Sequence, residues 1–249
     1  MLFSVLINTA DVNAENAAEE IILEELNRLR IEKDIPPLRI HPLLSSCASS
    51  YAAALSERGY LSHTGGSGMR AVDRFRERGG TSLRVGEVLG SSPPEKIGEL
   101  FDQWLTSPSH RTIILDTRWT HCGIGAEAIN PVNERSGEPQ RLFVVIQCIE
   151  HPFADITIGH AGEKVSVSGS FNPPENGPES RAEITRPVVK NGTAVYEPDI
   201  WNGEEGRFTF ILEGSDRFYY LYLGYIRESG KITYTDTLTI FNNCRQAQY

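Results

Sequence analysis

The chain has 249 residues, a length that fits one large domain or two of ordinary size. Hydrophobic residues make up 39% and charged residues 23%, a globular composition that excludes wholesale disorder. Lys+Arg number 24 against Asp+Glu 33, a net charge of -9, and no apolar run reaches the roughly 20 residues that cross a bilayer, so neither nucleic-acid binding nor a transmembrane segment is expected.

The apolar start, Met1 to Ile7, is too short for a full signal-peptide core and lacks a basic flank. It reads either as the stump of a signal sequence or as a short apolar arm, with residues 10–14 as a linker after cleavage. A helix is expected over residues 14–33, because Ile22, Leu26 and Leu29 form one stripe at helical spacing. Arg28, Arg30 and Lys33 crowd its end and match the helix dipole, and Asp34-Ile35-Pro36-Pro37 stops it. A second helix follows Pro42, with Leu44, Ala48, Tyr51 and Leu55 as its stripe and Arg58-Gly59 as its close. Cys47 lies on that stripe and reads as a small core residue. After the glycine-rich loop around His63 come a short helix over residues 71–78 and a buried extended segment over 85–89. Pro93 and Pro94 open a third long helix striped by Ile97, Phe101 and Trp104, and Ser107-Pro108 starts another. Residues 122–126 and 142–149 read as antiparallel strands.

Aromatic residues divide the chain. Residues 1–151 hold 8 of them and residues 152–249 hold 14, so two differently built halves are expected. The second half shows seven short β-rich runs, at 156–158, 164–171, 182–189, 193–197, 207–212, 218–226 and 231–241. Alternation is clear in Val165-Ser166-Val167-Ser168, and Asn191-Gly192 and Ser229-Gly230 mark turns. That density suggests an immunoglobulin-like or fibronectin-like β-sandwich. Phe218, Tyr219, Tyr220, Tyr222 and Tyr225 form the densest aromatic cluster; alternate members are expected to fill the core, with a sugar- or peptide-binding platform as the other reading. Asn191-Gly192-Thr193 matches a glycosylation sequon and is read as a turn.

The four cysteines, Cys47, Cys122, Cys148 and Cys244, lack metal-ribbon spacing and are too few for a disulfide scaffold. Cys122 and Cys148 sit on the two expected partner strands, which raises the hypothesis of a cross-strand bridge. Three residues stand out chemically: His63 in a glycine-rich loop, Glu87 inside an apolar run, and His110 in the first turn of a helix. Each has a bland reading as a solvated, amide-satisfying or capping residue. His41, His151 and His160 read as solvated or capping, and His121 as a neighbour of the cleft at most.

The order of several motifs carries more than any one. They are Leu26-Asn27-Arg28-Leu29-Arg30, Pro37-Leu38-Arg39, Arg58-Gly59-Tyr60-Leu61-Ser62-His63-Thr64, Gly86-Glu87, Trp104-Leu105-Thr106-Ser107-Pro108-Ser109-His110-Arg111, Ile114-Leu115 and Gly123-Ile124-Gly125. With them, residues 18–149 resemble the bacterial branch of the CAP superfamily, the SCP-like extracellular proteins. That superfamily includes cysteine-rich secretory proteins, insect venom antigen 5 and plant pathogenesis-related family 1. The resemblance implies an α+β fold, an α-β-α sandwich whose cleft is lined by two histidines and two acids. By motif, His63 matches the first histidine, Glu87 the first glutamate and His110 the second histidine. Ser107 stands where the second glutamate would be, and Val88 replaces the asparagine that follows the first.

Two imidazoles and one carboxylate suit a divalent metal such as zinc, with His63, His110 and Glu87 as ligands and water in a fourth position. Alternatively His63, Glu87 and His110 serve a hydrolase, with Ser107 or Ser109 as nucleophile, although no Gly-x-Ser-x-Gly elbow is present. The family also holds lipid and sterol binders. The leading expectation is therefore a secreted or surface bacterial protein with three parts: an N-terminal segment 1–14, a CAP domain 15–151 and a β-sandwich 152–249. Its cleft would take a divalent metal or a small, lipid-like or other, ligand without catalysis, and its partner would be that ligand or a cell-surface component. A cleft-based hydrolase or protease is the alternative, and a purely structural surface with an idle cleft is a third reading.

Overall fold

The structure is a computed structural model, described here for residues 9–129, 141–172, 184–213 and 218–241. It divides into two compact units, residues 1–80 with 85–149 and residues 81–84 with 150–249. The sequence reading kept residues 81–84 with the first unit.

In the first unit, helix α1 (Thr9–Glu32) is followed by strand β1 (Arg39–Ile40), α2 (Pro42–Arg58) and α3 (Ala71–Glu77). Then come β2 (Gly86–Ser92), α4 (Glu99–Thr106), α5 (Pro108–Ile114), β3 (His121–Ala128) and β4 (Leu142–Ile149). The backbone is already helical at residues 10–14, which corrects their reading as a linker. The long helix expected after Pro93 is instead a single 3-10 turn, Pro94–Lys96, followed by the short α4. Ile97, Phe101 and Trp104 are nonetheless buried together.

The sheet runs β1-β3-β4-β2, with β1 parallel to β3 and the other pairs antiparallel. Strands β2, β3 and β4 are buried on both faces, and the two-residue period assigns their side chains to opposite layers. Val88, Val144 and Ile146 pack with Ala18, Ile22 and Leu26 of α1 and with Leu100 and Trp104 of α4. Leu89, Phe143 and Val145 pack with Ala48, Tyr51 and Leu55 of α2. The result is a helix layer, a sheet and a second helix layer.

Two glycines set the distance between α2 and the sheet. A Cβ on Gly123 would lie 2.2 Å from backbone atoms of Leu44 and Ser45, and one on Gly125 would lie 2.2 Å from the amide of Ser49. Beyond its two residues of pairing with β1, strand β3 offers amides to α1: Glu19 accepts from Ala126 and Glu15 from Ala128. Arg30 is fully buried, and its guanidinium donates to the carbonyls of Pro36, Ile114, Asp116 and Trp119.

Cys122 and Cys148 are direct partners across β3 and β4, yet both are free thiols, as is Cys47. The bridge hypothesised between them is not formed. Burial pushes the Cys122 thiol up to about 12 and the Cys148 thiol well above the usual range. Neither is therefore a thiolate near neutral pH. Cys244 lies outside the described residues.

Among the described residues, the second unit holds eight antiparallel strands in two sheets. One runs β5 (Phe153–Ala161), β6 (Lys164–Phe171), β10 (Arg207–Glu213) and β9 (Ile200–Asn202) in spatial order. The other runs β12 (Ile232–Phe241), β11 (Phe218–Arg227), β7 (Ile184–Asn191) and β8 (Ala194–Tyr196). Strand β9 was not among the expected runs. Both sheets contribute to one apolar cluster, with Phe153, Val167, Phe171 and Phe210 from the first and Tyr219, Leu221 and Tyr225 from the second. The Tyr225 hydroxyl donates to buried Glu150 at 2.7 Å, and burial raises the tyrosine pKa.

Residues 81–84 extend along β12. The Thr237 amide donates to the Thr81 carbonyl, the Leu83 amide to the Thr235 carbonyl, and Ser82 bridges Asp236. Asp236 is 1% exposed and accepts from the hydroxyls of Thr81 and Thr235, both at 2.8 Å. His151 Nδ1 stands 3.6 Å from the same carboxylate, so this histidine is more than a solvated strand end.

Candidate functional site

Strand parity places Glu87 and Gln147 together. They are register partners on β2 and β4, and both face the α2 layer, as Leu89 does. Val88, by the same alternation, turns into the opposite core and is fully buried there. The position that departs from the expected Gly-Glu-Asn is thus a packing residue here.

His63 reaches Glu87 from the loop after α2. That helix ends at Gly59 with φ of 73°, a left-handed conformation that glycine adopts without strain. Downstream, the Tyr51 hydroxyl donates to the Ser62 carbonyl, and Arg74 Nη1 of α3 donates to the carbonyls of His63 and Met69. The Arg74 guanidinium also lies 3.4 Å over the Tyr51 ring, which fixes its direction.

The carboxylate of Glu87 is 5% exposed and has three partners. His63 Nδ1 is 2.9 Å from Oε1, Arg74 Nη2 donates to Oε2, and Gln147 Nε2 donates to Oε2 at 3.0 Å. A carboxylate only accepts, so Nδ1 carries the hydrogen and Nε2 is the nitrogen left to act. The His63 side chain is 57% exposed, so that edge meets solvent. Glu87 therefore orients the imidazole rather than facing a ligand itself. Arg74 Nε and Gln147 Oε1 remain without protein partners, one donor and one acceptor inside the same network.

His110, in the first turn of α5, joins this neighbourhood electrostatically. Burial lowers its pKa, and the charge of His63 lowers it further. Ser107 caps the same helix by position, but its hydroxyl bonds only to Ser109, at 3.1 Å. Among the described residues neither serine hydrogen-bonds to His63 or His110.

Among the described residues no group of three His, Cys, Asp or Glu side chains is placed to hold a divalent metal. Of the expected ligands His63, Glu87 and His110, Glu87 is already paired with the positive charge of Arg74 through one carboxylate oxygen.

Next to this network lies a cavity of about 300 Å³. Arg58, Arg74 and Arg78 line it with Tyr51, against one acidic residue, Glu77. Arg74 is thus shared between the cavity wall and the Glu87 network. Sequence reasoning missed Arg74 and Gln147. A polar residue inside the apolar run of β4 was the available signal for Gln147; Arg74 looked like any basic residue closing a short helix. Of the other histidines, His41 caps α2 by accepting from Leu44, and His121 lies edge-on to His41 at 5.9 Å.

The model of the cysteine-rich secretory protein family, CAP, matches residues 23–146. The uncharacterised protein YkwD of Bacillus subtilis is 27% identical over 119 residues, which span 47% of this chain and 45% of that relative. The chain therefore covers less than half the length of that relative. Among solved structures, an extracellular protein containing an SCP domain from Bacillus anthracis is 19% identical, covering 59% of this chain and 45% of that one, with a TM-score of 0.48. An outer surface protein from Borrelia burgdorferi is 22% identical, covering 54% of this chain and 94% of its own, with a TM-score of 0.46. The family match over residues 23–146 coincides with the layered helices and sheet around His63 and Glu87, and this part of the chain is a cysteine-rich secretory protein (CAP) family domain.

Proposed function

We propose that the protein is a secreted or surface-displayed binding protein whose CAP domain holds a small anionic ligand without transforming it. The observation that carries this reading is the double role of Arg74. One of its nitrogens neutralises Glu87, while its side chain walls a cavity already lined by Arg58 and Arg78. His63 joins the same network through Glu87. Guanidinium groups match carboxylate and phosphate oxygens in charge and shape. Among the described residues Ser107 and Ser109 bond to each other and not to a histidine, which weighs against the serine-nucleophile form of the hydrolase reading. The polar lining favours an ionic ligand over a lipid-like one. Secretion is read from the family of secretory proteins to which the domain belongs.

The second unit completes the reading as an immunoglobulin-like module that spaces or attaches the CAP domain. What supports this is strand order. Lettered A to H along the chain, β5 to β12 pair as A-B-F-E and H-G-C-D. That order is consistent with the Greek-key pairing of an immunoglobulin-like sandwich with one extra strand beside the third, which supports the reading.

Calorimetric titration tests the cleft, with inorganic phosphate, citrate and zinc as separate probes. Saturable binding of an anion is expected, weakened at least about tenfold by Arg58→Gln and by His63→Gln. Zinc binding that disappears in His63→Ala plus His110→Ala, with no anion bound, would replace this reading with the metal site. Turnover of an ester or peptide that depends on His63 would replace it with the hydrolase.

A further inference from the structure

The outer face of the β12-β11-β7-β8 sheet carries a second site, independent of the CAP cleft. Along β11 the alternation sends Tyr219, Leu221, Leu223 and Tyr225 into the core. Phe218, Tyr220 and Tyr222 point the other way, with Phe218 62% and Tyr220 46% exposed. The core therefore accounts for two of the five members of this aromatic cluster. The three outward ones line a cavity of about 870 Å³, together with Tyr234 of β12, Lys190 and Asn191 of β7, and Leu83. The register explains the grouping. Tyr222 is the direct partner of Lys190, and a bulge after Leu223 shifts Tyr234 to the position opposite Gly224.

The rings are set in different planes. Tyr220 and Tyr222 meet edge to face at 5.3 Å and 87°, and Tyr222 and Tyr234 at 6.1 Å and 63°. The Lys190 ammonium lies 5.9 Å from the Tyr222 centroid and 5.7 Å from that of Tyr234. Among the described residues no carboxylate pairs with it.

We propose that this cavity binds an oligosaccharide that carries carboxylate groups. Three arguments select that occupant. Its volume lies in the range of small-ligand sites, roughly 300–1,000 Å³, and not of the broad flat patches that join proteins. Tyrosine rings give a sugar's C–H face a flat apolar contact, while their hydroxyls and the Asn191 amide meet its hydroxyls. Lys190, set over two rings and without a carboxylate partner among the described residues, supplies the counter-charge for a sugar carboxylate. Such carboxylates occur both in uronic acids and in muramic acid, so both sources enter the test.

The full chain is titrated with tetragalacturonate, the N-acetylglucosaminyl-N-acetylmuramic acid disaccharide, and the neutral cellotetraose and chitotetraose, followed by calorimetry and by tyrosine fluorescence. One carboxylated probe is expected to bind saturably, at least about tenfold more tightly than the neutral ones. Lys190→Gln should erase that preference. Tyr222→Ala and Tyr234→Ala should each weaken binding at least about tenfold, with Tyr222→Phe and Tyr234→Phe retaining most of it. Unchanged thermal midpoints in the variants show that folding is intact. The proposal is overturned by neutral and carboxylated probes binding alike, by binding that survives both alanine substitutions, or by no binding of any probe up to about 10 mM. Saturable binding of a tyrosine- or proline-rich peptide at these residues in place of sugar overturns it as well. Because every residue that lines this cavity, Leu83 included, belongs to the second unit, the Arg58→Gln and His63→Gln variants should bind the sugar as the wild type does, which separates this outcome from that of the cleft.

Discussion

His110 shows how one side chain converts local surroundings into a property of the whole chain. Its folded-state pKa lies below the ordinary histidine value, first because burial disfavours the imidazolium and then because His63 repels it. As pH falls below about 6.5, the unfolded chain takes up this proton before the folded one does. The contribution of His110 to stability is therefore complete above that pH and is lost as pH drops towards the folded pKa. In His110→Gln, the fall in thermal midpoint between about pH 7 and pH 5 should be shallower than in the wild type. Equal slopes would remove His110 as a source. In an NMR titration, His63→Gln should raise the His110 pKa only in part, since burial is the larger cause. His63, Glu87 and His110 were legible in the sequence because their motifs are local. Arg74 and Arg30 were not. A basic residue at a helix end looks the same in sequence whether it meets solvent or, like Arg30, four carbonyls contributed by segments up to 89 positions away.

At the scale of elements, helical stripes carried most of the information, and the long buried strands β3 and β4 were readable as continuous apolar runs. What escaped were pieces too short for a period: β1 with two residues, β9 with three, and the 3-10 turn at Pro94–Lys96. Such pieces are defined by their partners, as β1 is by its parallel pairing to β3. The Gly123-Ile124-Gly125 motif also changes meaning at this scale. Its glycines let α2 lie directly on the sheet, so they shape the fold that presents His63 and contribute no chemistry of their own. Gly125→Ala should therefore force α2 away and cost about 3 kcal/mol in urea denaturation. Its Cβ would meet the Ser49 amide at 2.2 Å, and backbone cannot swing aside as a side chain can. Gly162→Ala is the control with open space around it, although its φ of 61° carries a strain of its own of about 1 kcal/mol.

For the molecule as a whole, the composition split was real, since aromatic residues are a much larger share of the second core than of the first, although aliphatic residues still make up about half of the second. What composition did not reveal is that residues 81–84 belong to the second unit. No periodicity marks four residues, and the Thr81–Asp236 hydrogen bond spans 155 positions. A fragment of residues 150–249 should consequently fold less stably than the same unit within the full chain, by about 1–3 kcal/mol, because buried Asp236 loses the Thr81 hydroxyl. Adding Thr81→Ala to the full chain should reproduce part of that loss. Hydrogen exchange at the Thr237 amide, which donates to Thr81, reports the change directly. The same segment imposes an order on biosynthesis. A chain made from its N-terminus releases residues 81–84 long before β12 exists, so their backbone groups must wait, bonded to water, until the last strand arrives. The second unit can then reach its final state only after β12 has been delivered, which makes synthesis through residue 241 a condition of its maturation.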